Sequence, residues 1–347
     1  MPASRVRAAI TAVSLAVVVG GPAATVAAPA VAAGTALPIH VYSPYFETWT
    51  ADGVTTTAQQ SGAHYFTLAF LETLSKTSCT LAWNGVASQT VPTGRYLSDI
   101  ASLRGIGGDV IPSFGGWSAD QGGTEIGDSC KDVGSILAAY QSVITTYDVT
   151  RLDMDIEGRS LTRTDGIDRR NKAIKLLQDW AGSQRRPLQI SYTLPTSASG
   201  LEASGKFVLE NAKANNVRID IVQPMVFDYY DRTTTDMGTA AISAVTGLRT
   251  YLGTLLPGKT DAQYWSMIGL TIMNGIDDYP KKTEVTTLAH AQQILSFAQS
   301  KGMSVLSMWA IQRDNGGCPG NGGANNCSGI VQNTWDFTHI LAPYTGP

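Results

Sequence analysis

Residues 151–158 read RLDMDIEG, and acidic and apolar side chains alternate along this stretch. The acidic side chains are those of Asp153, Asp155 and Glu157, and the apolar ones are those of Leu152, Met154 and Ile156. Because successive side chains of a β-strand point to opposite faces, the carboxyls share one face and the apolar groups share the other. The pattern predicts a strand whose apolar face is covered by helices and whose opposite face presents three carboxyls.

Neighbouring positions on one face of a strand are about 6.6 to 7 Å apart, so three carboxylates in a row repel one another. This repulsion raises carboxyl pKa values, and a carboxyl that stays protonated near neutral pH can serve as a general acid. An exposed acidic edge strand is the alternative. We favour a buried strand because Leu152, Met154 and Ile156 need an apolar layer behind them.

Strand-like and helix-like segments alternate along the rest of the chain. The predicted strands are Ile39–Phe46, Tyr65–Leu71, Asp109–Phe114, Thr150–Glu157, Leu188–Leu194, Ile219–Phe227, Met267–Met273 and Ser304–Ala310. The predicted helices are Thr56–Ala63, Tyr96–Gly105, Val133–Thr146, Asp168–Trp180, Gly205–Asn215, Thr239–Leu255, Glu284–Gln299 and Trp335–Leu341. This count predicts an α/β fold, a closed (β/α)8 TIM barrel. A doubly wound open sheet is the alternative, but Tyr42–Glu47 is unlike the glycine-rich loop that follows the first strand there.

Barrel enzymes carry their chemistry at the carboxyl ends of the strands, where Glu157 falls on the fourth one. Other residues at such ends are Tyr45, Trp49, Gly115, Gly116, Trp117, Tyr192, Asp228, Tyr229, Tyr230 and Trp309. Aromatic rings stack on the C–H faces of sugars and carboxyls act on glycosidic oxygens, so this set indicates a carbohydrate site. Trp309 could equally fill the barrel core, because tryptophan is usually well buried.

The amino terminus predicts export. Arg5 and Arg7 precede an apolar run and a stretch of small residues, so residues 1–33 resemble a secretory signal peptide and residues 35–347 a single catalytic domain. The apolar run is shorter than the roughly 20 residues of a membrane span. The chain has 25 basic and 28 acidic residues. This balance argues against binding to nucleic acid or to anionic membranes, and we expect a secreted, extracellular monomer.

Four cysteines in an exported chain are more often bridged than free. Their spacing favours a Cys318–Cys327 disulfide and leaves Cys79 for Cys130, although three connectivities are formally possible. A zinc site is the alternative. We expect no metal and no cofactor, because the cysteines are scattered and no histidine lies at ligand spacing from them.

Four motifs in the chain resemble those of glycoside hydrolase family 18, the chitinase family. Asp153-x-Asp155-x-Glu157 matches the end of the family's D-G-x-D-x-D-x-E signature, and Ser113–Gly116 resembles its S-x-G-G motif. Gln223–Asp228 resembles Q-x-M-x-Y-D, and Met308-Trp309 the tryptophan of the eighth strand. The motifs occur in the family's order, and the similarity covers most of the chain after residue 33.

The resemblance implies a retaining, substrate-assisted mechanism. Glu157 would protonate the leaving oxygen and later deprotonate water, and Asp155 would orient the 2-acetamido group of the substrate. Asp153 would share a proton with Asp155 from beneath, and Asp228 and Trp309 would bind the reacting sugar. The full set of residues that we expect to bind substrate is Tyr45, Gly116, Trp117, Tyr192, Gln223, Met225, Asp228, Tyr229 and Trp309.

Two departures from the family pattern are visible. Thr150 and Arg151 replace the Asp and Gly that open the fourth-strand signature. Phe227 replaces the tyrosine whose hydroxyl holds the acetamido carbonyl, so that hydrogen bond is either missing or supplied elsewhere, and Tyr192 or Tyr229 could supply it. Asp228-Tyr229 and Trp309-x-x-x-Arg313-Asp314 resemble a compact bacterial branch of the family.

The expected function is hydrolysis of β-1,4 bonds between N-acetylglucosamine units. Between Met273 and Ser304 there is room for one loop and one helix only, so we expect a shallow groove, cleavage within chains, and chitin or its soluble oligosaccharides as partner. An endo-β-N-acetylglucosaminidase acting on N-glycans is one alternative. A non-catalytic chitin-binding lectin on the same scaffold is another, because Phe227 lacks the hydroxyl of the family's tyrosine. An enzyme with a divalent metal held by the three carboxyls is the last, but residues two apart on a strand are too widely spread to surround one small cation.

Overall fold

The computed structural model describes residues 36–279, 282–322 and 325–346. The predicted signal peptide, residues 1–33, lies outside the described residues. No helix in the described part of the chain is long and apolar enough to cross a membrane.

Eight parallel strands form the centre of the molecule. They are Val41–Tyr42 with Tyr45–Glu47, Tyr65–Thr73, Asp109–Gly115, Arg151–Asp155, Gln189–Ser197, Ile221–Met225, Gly269–Met273 and Val305–Trp309. Each lies within about three residues of its predicted position. Four shorter strands form hairpin contacts: Leu81–Trp83, Gly200–Leu201, Gly275–Ile276 and Val285–Thr286.

The first strand closes the sheet into a barrel. It is broken at Ser43-Pro44, and its two halves have different neighbours. Val41–Tyr42 pairs with Val305 and Leu306 of the eighth strand, while Tyr45–Glu47 pairs with the second strand. The remaining strands pair in sequence order from the second to the eighth. The predicted (β/α)8 TIM barrel is therefore confirmed.

Helices surround the barrel. They are α1 Val54–Ser61, α2 Leu97–Gly105, α3 Trp117–Gly122, α4 Ile126–Ser129, α5 Val133–Tyr147, α6 Thr164–Ser183, α7 Ala203–Ala214, α8 Met237–Leu255, α9 Asp261–Trp265, α10 Leu288–Lys301 and α11 Asp336–Leu341. The sequence did not predict the short helices α3, α4 and α9. The start predicted at Glu284 is also wrong, because Val285–Thr286 pairs with Gly275–Ile276 and Thr287 caps α10.

The fourth strand has the two faces that its alternation predicts. Leu152, Met154 and Ile156 are fully buried in the apolar layer that contains residues of α5 and α6. Burying an aliphatic side chain of this size contributes about 1.5 to 3 kcal/mol. These three side chains anchor the strand against the helices, and the carboxyls of Asp153 and Asp155 point into the barrel.

The two disulfides are those that the cysteine spacing favoured. Cys79 pairs with Cys130, which ends α4, and Cys318 pairs with Cys327. Between Met273 and Ser304, the described residues form one short hairpin and α10.

Candidate active site

Asp153 is held inside the barrel by four hydroxyl groups. Tyr45 and Ser113 donate to its Oδ2 at 2.8 and 2.7 Å, and Ser191 and Thr193 donate to its Oδ1 at 2.7 and 2.8 Å. Burial raises the pKa of Asp153, and these hydrogen bonds oppose that effect. The charge of Asp153 acts on Asp155, and the proton expected to be shared between them stays a prediction. Both oxygens of Asp153 are already occupied by other donors.

Asp155 is buried next to three other carboxyls. Burial raises its pKa well above the usual value, and the charges of Glu157, Asp153 and Asp120 raise it further. Its Oδ1 is buried and accepts no hydrogen bond from the described part of the chain. Its surroundings therefore favour the protonated form of the Asp155 carboxyl, and Oδ1 is available to a ligand.

Glu157 follows the end of the fourth strand and is half-buried. Burial raises its pKa to about 7, a hydrogen bond from the Trp117 amide opposes this, and the charge of Asp278 adds to it. A carboxyl that titrates near neutrality can give up a proton in one step and take one back in the next. Of the three strand carboxyls, Glu157 has the access and the pKa for acid–base catalysis.

The glycine pair Gly115-Gly116 allows the third strand to approach this centre. A Cβ at Gly115 would lie 2.2 Å from the carbonyl oxygen of Asp155, and one at Gly116 would lie 2.5 Å from the Phe70 ring. Both glycines also have positive φ angles, of 94° and 80°. Any side chain there would push the third strand away from Asp155 or from the aromatic floor.

An aromatic floor, consisting of Trp309, Phe70, Trp49 and Tyr45, lies beside the carboxyls. Trp309 stacks on Phe70 with 5.6 Å between ring centroids and 12° between planes, and it also contacts Trp49 and Tyr45. Trp309 is half-buried, so it is more than a filler of the barrel core. Trp49 is 46% exposed and Trp117 is 60% exposed, which leaves two further rings available to a ligand.

An acidic wall, consisting of Asp228, Asp277, Asp278 and Glu284, borders the site on the side of the sixth and seventh strands. The amides of Asp228, Tyr229 and Tyr230 donate to Asp277 or Glu284 at 2.7 to 3.0 Å. Asp228 and Tyr230 have φ angles of 51° and 54°, which turn these amides towards the carboxylates. Burial and the charges of Asp277, Asp278 and Glu284 raise the pKa of Asp228 to about 8.

Arg313 and Glu47 are charged residues that the sequence analysis did not assign to the site. Arg313 interacts with Glu47 and with three carboxyls of the acidic wall. The buried Arg313 lies near the carboxyls of Asp278, Glu47, Asp228 and Asp277. Burial raises the pKa of Glu47 to about 8, and Arg313 opposes this effect. Arg313 therefore partly neutralises the acidic wall from beneath.

Three of the predicted substrate-binding residues are buried and bonded elsewhere. Tyr45 donates to Asp153 and is 1% exposed, so it supports a carboxyl instead of facing ligand. Gln223 is buried and donates to Thr271 at 2.7 Å. Tyr192 points out of the barrel and donates to Asn171 of α6 at 2.9 Å, because its neighbours Ser191 and Thr193 take the inward positions. These side chains position other groups.

We expect Tyr192→Phe to leave kcat/KM within about twofold and to lower the free energy of unfolding by about 1 to 2 kcal/mol, because the Asn171 oxygen loses its donor. Urea unfolding and steady-state kinetics on the same preparation check this. Tyr251→Phe, which removes a hydroxyl from the edge of α8, is the matched control. A tenfold or greater loss of kcat/KM in Tyr192→Phe would show that the Tyr192 hydroxyl serves the substrate after all.

The other predicted residues lie at the site. Met225 is at the carboxyl end of the sixth strand and is nearly buried, and Gly116 binds the Asp155 carbonyl oxygen through its amide. The Tyr229 hydroxyl is buried and has no hydrogen-bond partner within the described ranges. Searched over the described residues, the acidic, histidine and cysteine side chains form no group of three that could hold a metal ion.

A closed barrel with neighbouring carboxyls of raised pKa and an aromatic floor at the carboxyl ends of its strands is typical of barrel glycoside hydrolases. The chain belongs to glycosyl hydrolases family 18, whose family model matches residues 41–316. The resemblance seen in the sequence motifs is thereby confirmed.

Named relatives support the same assignment. The chain is 32% identical over 323 residues to the probable bifunctional chitinase/lysozyme of Escherichia coli (strain K12), an alignment covering 89% of this chain and 35% of the relative. It is 33% identical over 289 residues to Endochitinase 11 of Metarhizium anisopliae, covering 80% of this chain and 53% of the relative. The chain thus spans about a third and about half of the lengths of these two relatives.

Among solved structures, the catalytic domain of the hyperthermophilic chitinase from Pyrococcus furiosus superimposes with a TM-score of 0.79 at 29% identity. The match covers 90% of this chain and 96% of that domain. Catalytic-site mutants of a domain of the P. furiosus chitinase have been solved in complex with chito-oligosaccharides, with the same TM-score and identity to this chain.

Proposed function

We propose that this protein is a secreted, retaining chitinase that hydrolyses β-1,4 bonds between N-acetylglucosamine units by substrate-assisted catalysis. The observation that carries the proposal is the division of roles between Glu157 and Asp155. Glu157 is half-buried and its pKa is raised to about 7, whereas Asp155 is fully buried and the carboxyls around it raise its pKa well above the usual value. Asp155 is thus poorly suited to act as an enzyme nucleophile, and a neighbouring group of the substrate must attack instead.

In the first step, the Glu157 carboxyl protonates the glycosidic oxygen while the 2-acetamido carbonyl oxygen attacks the anomeric carbon. The glycosidic C–O bond breaks, and the acetamido group closes into a positively charged ring. Asp155 stabilises that charge through the acetamido N–H. In the second step, the Glu157 carboxylate takes a proton from water while the water oxygen attacks the anomeric carbon. The bond from that carbon to the acetamido oxygen breaks, so the ring opens, the acetamido group is restored and the original anomeric configuration returns.

The hydroxyl that Phe227 lacks has one remaining candidate of the two that the sequence offered. Tyr192 is bonded to Asn171 outside the barrel, whereas the Tyr229 hydroxyl is buried and without a partner in the described chain. We assign to Tyr229 the hydrogen bond that holds the acetamido carbonyl oxygen. Trp309 and Phe70 form the floor on which the reacting sugar stacks, and Trp49 and Trp117 extend the binding surface.

We expect kcat to fall as pH rises through about 7, because Glu157 must be protonated in the first step and its pKa is raised to about 7. The proton is held below this pH and lost above it, so the alkaline limb of the kcat profile reports Glu157. The measurement is kcat on a soluble chito-oligosaccharide from about pH 3 to pH 9. An alkaline limb near the pKa of about 4.3 of an ordinary glutamate would contradict the assignment.

The chain, acting as a monomer, would cleave within chitin chains or their soluble oligosaccharides. The described residues between Met273 and Ser304 form one short hairpin and α10, so the wall that they add to the groove is low. The test incubates the protein in parallel with N-acetylglucosamine oligomers and with an N-glycosylated glycoprotein, and separates the products by size. Release of short oligosaccharides from the oligomers alone supports the proposal. Release of glycans from the glycoprotein alone would assign the protein to the endo-β-N-acetylglucosaminidases, and binding without release would assign it to the lectins.

A further inference from the structure

The main chain leaves the barrel sheet at Glu157. There the side chain of Asp120, instead of a neighbouring strand, accepts the backbone hydrogen bond. The last backbone bond between the third and fourth strands runs from Gly116 N–H to Asp155 O at 3.1 Å. On the opposite side, Ile156 N–H still donates to Thr193 O of the fifth strand at 3.0 Å. The next amide, that of Glu157, donates to Oδ2 of Asp120 in α3. Asp120 therefore occupies the place of a strand neighbour for the residue that carries the acid.

Helix α3 is pressed against the turn that follows Glu157. A Cβ at Gly158 would lie 2.3 Å from Nε2 of Gln121 and 3.4 Å from the Trp117 ring. Asp120 is fully buried between this turn and the end of the third strand, where a Cβ at Gly115 would lie 3.3 Å from its Oδ1. This close packing transmits the position of Asp120 to the backbone of Glu157.

The charged groups that face Asp120 come from three directions. Glu157 and Asp155 belong to the fourth strand and its end, Glu125 precedes α4, and Arg170 belongs to α6. Arg170 is already bound to Glu125 at 2.6 Å, and the pair Asp128–Arg163 lies one layer further out at 3.4 Å. Burial, followed by the charge of Glu125, raises the pKa of Asp120 well above its usual value.

We infer that Asp120 is a positioning residue for the catalytic acid: its side chain replaces the missing strand neighbour and fixes the main chain of Glu157. The role rests on the proposed function of Glu157. Burial favours the uncharged form of the Asp120 carboxyl, which accepts the Glu157 N–H through its carbonyl oxygen and adds no negative charge beside the acid. An asparagine amide would also accept this hydrogen bond and would also be uncharged. A smaller or longer side chain would lose the hydrogen bond and leave the Glu157 main chain unfixed.

The test measures kcat and KM of the full chain on a soluble N-acetylglucosamine oligomer over about pH 5 to pH 9 for four variants. They are Asp120→Asn, Asp120→Ala, Asp120→Glu and the control Ser118→Ala on the exposed side of α3. We expect Asp120→Asn and Ser118→Ala to match the wild type in kcat and in the pH of the alkaline limb. We expect Asp120→Ala and Asp120→Glu to lower kcat about 10- to 100-fold with KM within about threefold.

Thermal unfolding of each variant separates positioning from folding. If Asp120→Ala does not fold, the comparison of Asp120→Glu with Asp120→Asn carries the same test. Wild-type kcat in the folded Ala or Glu variant would overturn the positioning role, and a lowered alkaline limb in Asp120→Asn would overturn the uncharged state. An inactive wild type would instead overturn the proposed function, and with it any role of Asp120 in catalysis.

Discussion

Replacing Glu157 with glutamine is expected to lower kcat by about 10²- to 10⁴-fold, the usual contribution of a positioned general acid. Glutamine has nearly the same shape but has no proton to donate to the leaving oxygen. Because the Glu157 carboxyl is half-buried and its floor of aromatic rings is untouched, we expect the dissociation constant for chito-oligosaccharides to change by less than about tenfold.

Steady-state kinetics and calorimetric binding on the same oligomer measure the two quantities separately. Glu202→Gln, at an exposed position before α7, is the matched control and is expected to have wild-type kcat. If Glu157→Gln retained more than about a tenth of the wild-type kcat, another group would have to be the acid.

Replacing Asp155 with asparagine is expected to lower kcat by about 10²- to 10³-fold, the usual cost of losing one group that stabilises developing charge. Positive charge grows on the acetamido group as its oxygen attacks. A carboxyl can become negative in response, whereas a carboxamide cannot. The alkaline limb of the profile is expected to stay near pH 7, because Glu157 remains the acid and burial is the largest cause that raises its pKa to about 7.

The matched comparison is Asp153→Asn, which changes a neighbouring carboxyl on the same face. Asp153 accepts four hydroxyl hydrogen bonds, so an amide there loses part of its acceptor capacity and is expected to reduce the free energy of unfolding by about 1 to 3 kcal/mol. Kinetics and urea unfolding of both variants are the measurements. Wild-type kcat in Asp155→Asn would contradict its role in stabilising the charged intermediate.

The fold could be predicted because its signals are local. The alternation at residues 151–158 reports a strand with two distinct faces, and the apolar runs on either side repeat the strand–helix unit of a barrel. The short helices α3 and α4 gave no such signal, since six and four residues are too few to show a helical period. The start of α10 was placed too early because Glu284 and Val285 fit a helix, whereas pairing with Gly275–Ile276 is a contact at a distance.

Site residues that belong to a sequence motif could be predicted. Residues that reach the site only through tertiary packing could not. The carboxyls on the fourth strand and Trp309 follow from their motifs. Phe70 and Asp120 carry no sequence signal, because each acts by lying against an element far along the chain. The sequence analysis predicts Tyr192 to bind substrate. In a strand, however, Tyr192 points to the face opposite to that of Ser191 and Thr193. Had those two been recognised as donors to Asp153, Tyr192 would have been placed outside the barrel.

The most direct test of the central claim is the anomeric configuration of the first product formed from an N-acetylglucosamine oligomer. Proton NMR of the reducing end within the first turnovers distinguishes the two anomers before they equilibrate. Substrate-assisted catalysis with Glu157 as acid and Asp155 as its partner predicts the β-anomer first, because the configuration is inverted twice. The α-anomer first would mean that water attacks directly, and the division of roles between Glu157 and Asp155 would then be wrong.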